Sequence, residues 1–371
     1  MSTPHKAGNE SSHTEPRRKW SRKEKYVFLP IVVLFPVILV LGLLAAIDVY
    51  LHNRHFEGRY GLNTLNIWGY RGDVAPAPSE DQLRLAVVGG STAWGYGVPV
   101  NESMPFILEQ QLEQDEVAED VAVMNLAYNN EGAYAFAANL EDYLDLDYDI
   151  VVMYTGVNDS GGENRLVWRR TSPIFRATGY LPILPDLVNQ LLNNWRSGRG
   201  LNNPEDPKIV FDEDFQDELR DRVVTGDIEK YLQDQREQEM GPGSLENIPE
   251  SESGTPHGFK TADATCAEPW TFYCSQVARA IDFVRSQGKL VLVVGEPFVT
   301  EAQAEQQREL LSYLESRYTN DPAVEYADFG LAVDVTDPSV AFDGMHLTER
   351  GNRSIAEQLV EPVRSLIQAN E

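Results

Sequence analysis

The chain has 371 residues and a formal charge of −27, from 31 Lys plus Arg against 58 Asp plus Glu, with six His and two Cys. Such a length holds about two domains, or one large α/β domain with insertions, and is ample for a sizeable core. The acid excess argues against nucleic acid as a partner, since phosphate binding needs basic patches, and it disfavours polyanionic substrates. A self-repelling acidic surface accounts for the charge without any ligand.

The charge is unevenly placed. Residues 1–25 hold seven basic and three acidic side chains, a balance of +4 that leaves −31 on residues 26–371. This tail is polar and lacks apolar periodicity, so it reads as disordered. From Tyr26 to Ile47 no residue is charged, a run of 22 positions. As a helix the run is roughly 33 Å long, enough to cross a hydrocarbon layer of ~30 Å. Pro30 and Pro36 lie inside it, which membrane helices tolerate. Arg17, Arg18, Lys19, Arg22, Lys23 and Lys25 precede the run and Asp48 follows, so positive charge predicts a cytoplasmic N-terminus and an external remainder. A cleaved signal peptide is the competing reading, with Ala45-Ala46 as part of a cleavage site, but the run exceeds the usual signal core. The expected organisation is a tail at 1–25, a transmembrane helix at 26–48, a juxtamembrane segment at 49–82, and a main domain at 83–371.

In the main domain, strands are expected at Arg84–Val88, Val121–Leu126, Tyr148–Tyr154, Lys289–Val294 and Val324–Asp328. Helices are expected at Pro105–Gln114 with Ser103 as cap, then at Tyr134–Leu144, Pro269–Gln287, Ala302–Tyr318 and Glu349–Ile367. The alternation implies a mostly parallel sheet covered on both faces, with a site at the carboxyl ends of its strands. An insertion at about 160–262 breaks the pattern. It begins with a basic, aromatic run (Arg165–Trp195), continues as a charged helical stretch (Asp212–Glu239) and ends in a Gly/Pro/Ser-rich linker (Gly241–Pro256). The run Trp168–Tyr180 reads either as a surface for lipid headgroups or an anionic substrate, or as a packed insertion with solvated Arg. Cys266 and Cys274 are close in sequence, and outside the membrane they are expected to form a local disulfide; two unrelated buried thiols is the alternative.

The chemistry gathers at strand ends. Ser91 follows a buried strand and a Gly89-Gly90 turn, which exposes a hydroxyl at the sheet edge. A Ser nucleophile needs a base. His5 and His13 are in the tail, His52 and His55 near the membrane, and His257 in the linker; His346 alone has a structured context. Asp343, three residues upstream, is placed to accept the imidazole N–H. Asn158, after the third strand, can aim an amide at an oxyanion, and Gly132, after the second, permits close substrate approach to its N–H. Each piece alone is also an ordinary turn or cap.

Taken together, Ser91, Gly132, Asn158 and Asp343-x-x-His346 lie at separate strand ends, and the sequence resembles the SGNH hydrolases (GDSL-type esterases and lipases) over about 83–160 and 262–370. The resemblance implies a three-layer α/β/α sandwich around a parallel five-stranded sheet. It implies Ser91 as nucleophile and first oxyanion donor, Gly132 and Asn158 as further donors, His346 as base and Asp343 as its orienting acid. Asn66, Gly69, Tyr70, Arg71 and Gly72 look like the segment that precedes the sheet in membrane-anchored members. Gly90 departs from the pattern: it stands where the motif has Asp, and so removes a carboxylate that would help hold the nucleophile loop.

The expected reaction is acyl transfer without metal or organic cofactor. The first reading is a membrane-anchored, periplasmic serine esterase acting on an ester-bearing substrate such as an O-acetylated polysaccharide. The alternatives are an O-acyltransferase of envelope polysaccharide, and a non-catalytic scaffold that recruits an envelope protein through the 160–262 insertion. A glycan on the Asn158-Asp159-Ser160 sequon would block the site, which favours a bacterial inner membrane over a eukaryotic secretory route.

Overall fold

The computed structural model describes residues 22–53, 64–79, 81–160, 162–185, 187, 188, 192, 266–298 and 300–370, with side chains from Ile31 onward. The basic tail with His5 and His13, His55, the stretch 212–239, the linker 241–256 and His257 lie outside the described residues. The chain divides into two compact units, residues 1–47 and 48–371.

Helix α1 (Arg22–His52) runs unbroken through Pro30 and Pro36. Its window Ile31–His52, with mean hydropathy 2.8, is the one stretch among the described residues long and apolar enough to cross a membrane. The apolar side chains from Ile31 to Leu44 are exposed.

The second unit takes in the segment before the sheet as well as the sheet itself. Five parallel strands, β1 (Leu83–Gly89), β2 (Val121–Asn125), β3 (Ile150–Thr155), β4 (Leu290–Gly295) and β5 (Val324–Asp328), lie in the order β2-β1-β3-β4-β5. β1 and β3 pair from Leu85 opposite Ile150 to Gly89 opposite Tyr154. Both are buried almost end to end, which is why they read as continuous apolar runs rather than alternating ones. Between them come α2 (Ser91–Trp94), α3 (Met104–Gln114) and α4 (Ala133–Asp142); after them come α5 (Pro173–Thr178), α6 (Thr271–Ser286), α7 (Glu301–Tyr318) and α8 (Glu349–Gln368). α3 packs with α8 and α4 with α6. Right-handed crossovers put α3 on one face and α4, α6 and α7 on the other, because the chain reverses its direction of travel across the sheet after β2. The reversal makes the β1/β3 carboxyl edge a topological switch point, where ligand crevices form in such sheets.

Element boundaries agree with the expected ones to within a few residues, with two corrections. Ser103 occupies the N-cap position of α3 without capping through its side chain. Its hydroxyl donates to Val100 O at 2.6 Å, and Met104 N donates instead to Asn352 Oδ1 of α8 at 3.0 Å. β3 starts at Ile150 rather than Tyr148: Tyr148 is buried with its hydroxyl on Leu140 O, and Asp149 exchanges bonds with the Arg84 backbone.

The arginines at the head of the basic, aromatic run are packed rather than solvated, while Ile174 and Arg176 further along it are exposed. Arg169 is fully buried, donating to Gly69 O (2.6 Å) and Ala127 O (3.0 Å), with its guanidinium over the rings of Tyr128 and Tyr143. Arg170 pairs with Asp142 and Glu141 at 2.8 Å. Trp168 stacks on Tyr128 with centroids 4.1 Å apart. The start of the insertion is thus part of the core that backs the loop after β2. Cys266 and Cys274 form a disulfide at the entry to α6.

At its start this unit is fastened by buried polar groups. The His52 ring nitrogens sit 2.9 Å from Leu65 O and from Leu181 O, and Asp48 accepts from Ile183 N at 3.0 Å and from Tyr180 Oη.

Candidate active site

The nucleophile candidate sits on a turn with no spare volume. β1 ends at Gly89, and Ser91 opens the single turn α2. A Cβ at Gly90 would lie 1.8 Å from Asn158 Nδ2, so any side chain there would displace the Asn158 amide. The missing motif Asp is therefore a steric requirement here: the space it would fill is taken. The Ser91 N–H is at the first position of α2, where a backbone donor has no partner within the helix. Ser91 is 7 % exposed.

His346 reaches that turn from the opposite end of the sequence. Phe342 N donates to His346 O at 2.8 Å and Thr348 N to Val340 O at 2.9 Å, so the loop folds back on itself as a small hairpin. Inside it, Asp343 Oδ1 accepts from Met345 N (3.0 Å) and His346 N (2.8 Å). Asp343 Oδ2 lies 2.6 Å from His346 Nδ1, and His346 Nε2 lies 2.8 Å from Ser91 Oγ. Hydroxyl, imidazole and carboxylate thus form one continuous hydrogen-bonded chain. Burial works to raise the Asp343 carboxyl, but the His346 charge and the bonds from His346 and Met345 outweigh it and hold it below the usual carboxylate range. Asp343 is thereby an anion suited to stabilise an imidazolium. The Tyr96 ring lies against the imidazole, with centroids 4.9 Å apart.

Gly132 and Asn158 face the same turn. Asn158 follows β3 on a short helical turn and donates through Nδ2 to Glu131 O at 3.0 Å, which fixes the plane of its amide against Gly90. Gly132 is the N-cap of α4; a Cβ there would lie 2.5 Å from Asp159 Oδ1, and the neighbouring Ala133 N donates to Asp159 Oδ2 at 3.0 Å. The two loops are locked together by these contacts. The structure brings Ser91, Gly132, Asn158, Asp343 and His346 into one place at the carboxyl edge. Among the described residues, no group of three or more His, Cys, Asp or Glu is arranged to hold a metal ion.

Several residues around the site escape the sequence reading. Arg71 donates to Gly95 O (2.7 Å), Val98 O (2.6 Å) and Trp94 O, and so clamps the chain just after Ser91. The Asn-Ile-Trp-Gly-Tyr-Arg-Gly segment pointed to it without indicating what it holds. Glu131 is buried beside Arg169 (3.6 Å) and accepts from Trp168 N and Asn139 Nδ2. Burial pushes its carboxyl up, against the pull of Arg169. Asn352 is fully buried and joins α8 to Leu347 O, Thr348 O and the start of α3. Glu296, after β4, is buried, and among the described residues no cation is bonded to it. In sequence these are an unremarkable Asn in a helix and a Gly-Glu-Pro turn.

No family model matches the chain. A curated acetylxylan esterase from Xylanibacter ruminicola is 26 % identical over 142 residues, 37 % of this chain and 29 % of that protein. The match thus covers less than a third of the relative's own length. Solved structures that align with the chain include G-D-S-L lipolytic proteins and acetylxylan esterases. One is a member of the lipolytic G-D-S-L family from Veillonella parvula, at 12 % identity and TM-score 0.38, covering 75 % of this chain and 97 % of that one. Another is an acetylxylan esterase from Geobacillus stearothermophilus, at 10 % identity and TM-score 0.40, covering 76 % and 94 %.

Proposed function

We propose that the chain is a serine esterase of SGNH type that cleaves an ester through an acyl-enzyme. The unbroken chain from Ser91 Oγ through His346 to Asp343 carries this reading. In it, His346 Nε2 takes the hydroxyl proton as Ser91 Oγ bonds to the ester carbonyl carbon. The carbonyl oxygen becomes an oxyanion faced by the N–H groups of Ser91 and Gly132 and the amide of Asn158. The C–O bond to the leaving alcohol then breaks, and His346 returns the proton to that alcohol. Water, deprotonated by His346, attacks the acyl-Ser91 ester and releases the acid and the free hydroxyl. Asp343 holds the ring orientation throughout.

The reading extends to place and substrate. The helix Arg22–His52 anchors the chain in a bacterial inner membrane with the domain on the periplasmic side, in keeping with the charge-free run, the basic residues before it and the disulfide. The substrate class is an O-acetylated carbohydrate, in keeping with the curated acetylxylan esterase that matches part of the chain. The test is labelling of the full chain by a fluorophosphonate, with release of p-nitrophenol from p-nitrophenyl acetate. Wild type labels and turns over, while Ser91→Ala and His346→Ala do neither. Equal labelling of wild type and Ser91→Ala would remove the basis of the proposal.

A further inference from the structure

The nucleophile turn has no side chain at position 90 with which to hold itself, and a carboxylate from another strand reaches it instead. Glu296 follows β4 directly. Its Oε1 accepts from Thr92 Oγ1 at 2.8 Å, one residue after Ser91. Its Oε2 accepts from Val157 N at 2.8 Å, one residue before Asn158. Its own backbone is fixed on both sides, with Glu296 N donating to Thr155 O at 3.1 Å and Gln307 Nε2 of α7 donating to Glu296 O. One rigid group therefore spans the loop after β1 and the loop after β3, the two sides of the switch point.

We propose that Glu296 is a positioning residue: it ties the nucleophile turn to the Asn158 loop and so sets the spacing between Ser91 and the Asn158 amide during acyl transfer. The assignment of a catalytic consequence rests on the serine esterase reading above. The bridge itself does not. A carboxyl only 3 % exposed is costly to place at this edge when an apolar side chain would fill the space. Both of its oxygens are spent on the two site loops, and among the described residues no Arg or Lys is bonded to them. The charged groups around it are Asp159, which pushes the carboxyl up, and His346, which pulls it down; burial is the largest influence, and the carboxyl is raised to about 7. The bridge survives either protonation state. An ionised Glu296 accepts from both partners. A protonated one accepts from Val157 N and donates to Thr92 Oγ1, since a hydroxyl both donates and accepts.

Glutamine reproduces the protonated arrangement, so Glu296→Gln and Glu296→Ala separate the bridge from mere occupancy. With full chain in detergent, Glu296→Ala lowers kcat on p-nitrophenyl acetate about 10²-fold with KM little changed, the scale expected of a small misplacement at a reacting centre. Glu296→Gln stays within about threefold of wild type, with a superimposable pH profile, and Thr92→Val, which cuts one arm, falls between them at about tenfold. Hydrogen exchange gives a readout independent of turnover. Peptides covering 90–96 and 155–160 both lose protection in Glu296→Ala and keep it in Glu296→Gln. Wild-type kcat in a folded Glu296→Ala, or Glu296→Gln as impaired as Ala, overturns the proposal; if Ala does not fold, unchanged kcat in Thr92→Val does so. If wild type turns over no ester, the esterase reading fails alone, and exchange that rises in only one of the two peptides still overturns the bridge.

Discussion

The two halves of the site are held in opposite ways. The histidine loop is built from neighbours in sequence: Asp343 bonds the backbone of residues 345 and 346 and the ring of His346, and the hairpin closes within 340–348. The nucleophile turn is held by groups far away in the chain. Arg71 clamps residues 94–98, Glu296 holds Thr92, and Asn158 fills the space beside Gly90. A locally built loop can be recognised from spacing alone, whereas a turn clamped from three sides is exposed to damage at positions that carry no chemistry. Substitutions in each half test that contrast.

The largest effect belongs to the groups in the proposed chemistry. Ser91→Ala is expected to lower kcat by about 10⁴–10⁶-fold and Asp343→Asn by about 10³–10⁴-fold, read by p-nitrophenol release, with thermal midpoints close to wild type for Ser91→Ala. Next is Gly90→Ala, a single methyl group. Because its Cβ would collide with Asn158 Nδ2, it should cost as much as Asn158→Ala itself, about 10²–10³-fold, and the double variant should lose little more. Additive losses in that cycle would show that Gly90 acts by another route.

Arg71→Lys keeps the charge but not the planar fork that reaches several carbonyls, so kcat should fall about tenfold with a stability loss of about 2 kcal/mol by urea unfolding. In the histidine half, Asn352→Ala removes the side-chain partner of Met104 N and Leu347 O, while Thr348 O keeps its bond from the backbone of residue 352; it is expected to cost about 1–3 kcal/mol, with a smaller change in kcat than Arg71→Lys, because the loop closes on itself. The reverse ranking in kcat would mean the two halves are equally dependent on distant contacts.

The last effect touches stability against pH and not turnover. Burial raises Glu296 to about 7 from an ordinary 4.5. Between those values the folded chain keeps a proton that the unfolded chain has released, so stability falls as pH rises through this window, by up to about 3 kcal/mol. Asp343 acts in the opposite sense: its carboxyl is lowered, and its contribution is lost only as pH falls through that lowered value. The difference in urea unfolding free energy between wild type and Glu296→Gln therefore isolates Glu296. It should narrow from pH 8 to pH 5 in favour of wild type.

Much of the fold was legible because strands buried on both faces are written as apolar runs, and Leu85–Val88, Ile150–Tyr154 and Val291–Val294 leave little choice. Asp343-x-x-His346 was legible for the reason already given, since three residues suffice to build it. Arg169 was misread because a cation in a basic, aromatic run looks solvated. Its carbonyl partners, Gly69 and Ala127, are distant in the chain and carry no side-chain signal. Ser103 stands at the N-cap position as expected but does not cap through its side chain, because its hydroxyl donates back to Val100 O.

The amino-acid order by itself determined the apolar span, the alternation of strand and helix, and which few side chains have the chemistry to act. Folding alone decided that Gly90 must lack a side chain, that Arg71 serves the nucleophile turn, and that Glu296 reaches both site loops. Those outcomes depend on volume and hydrogen-bond geometry between residues as much as 204 positions apart, and such geometry exists only once β1, β3 and β4 lie side by side.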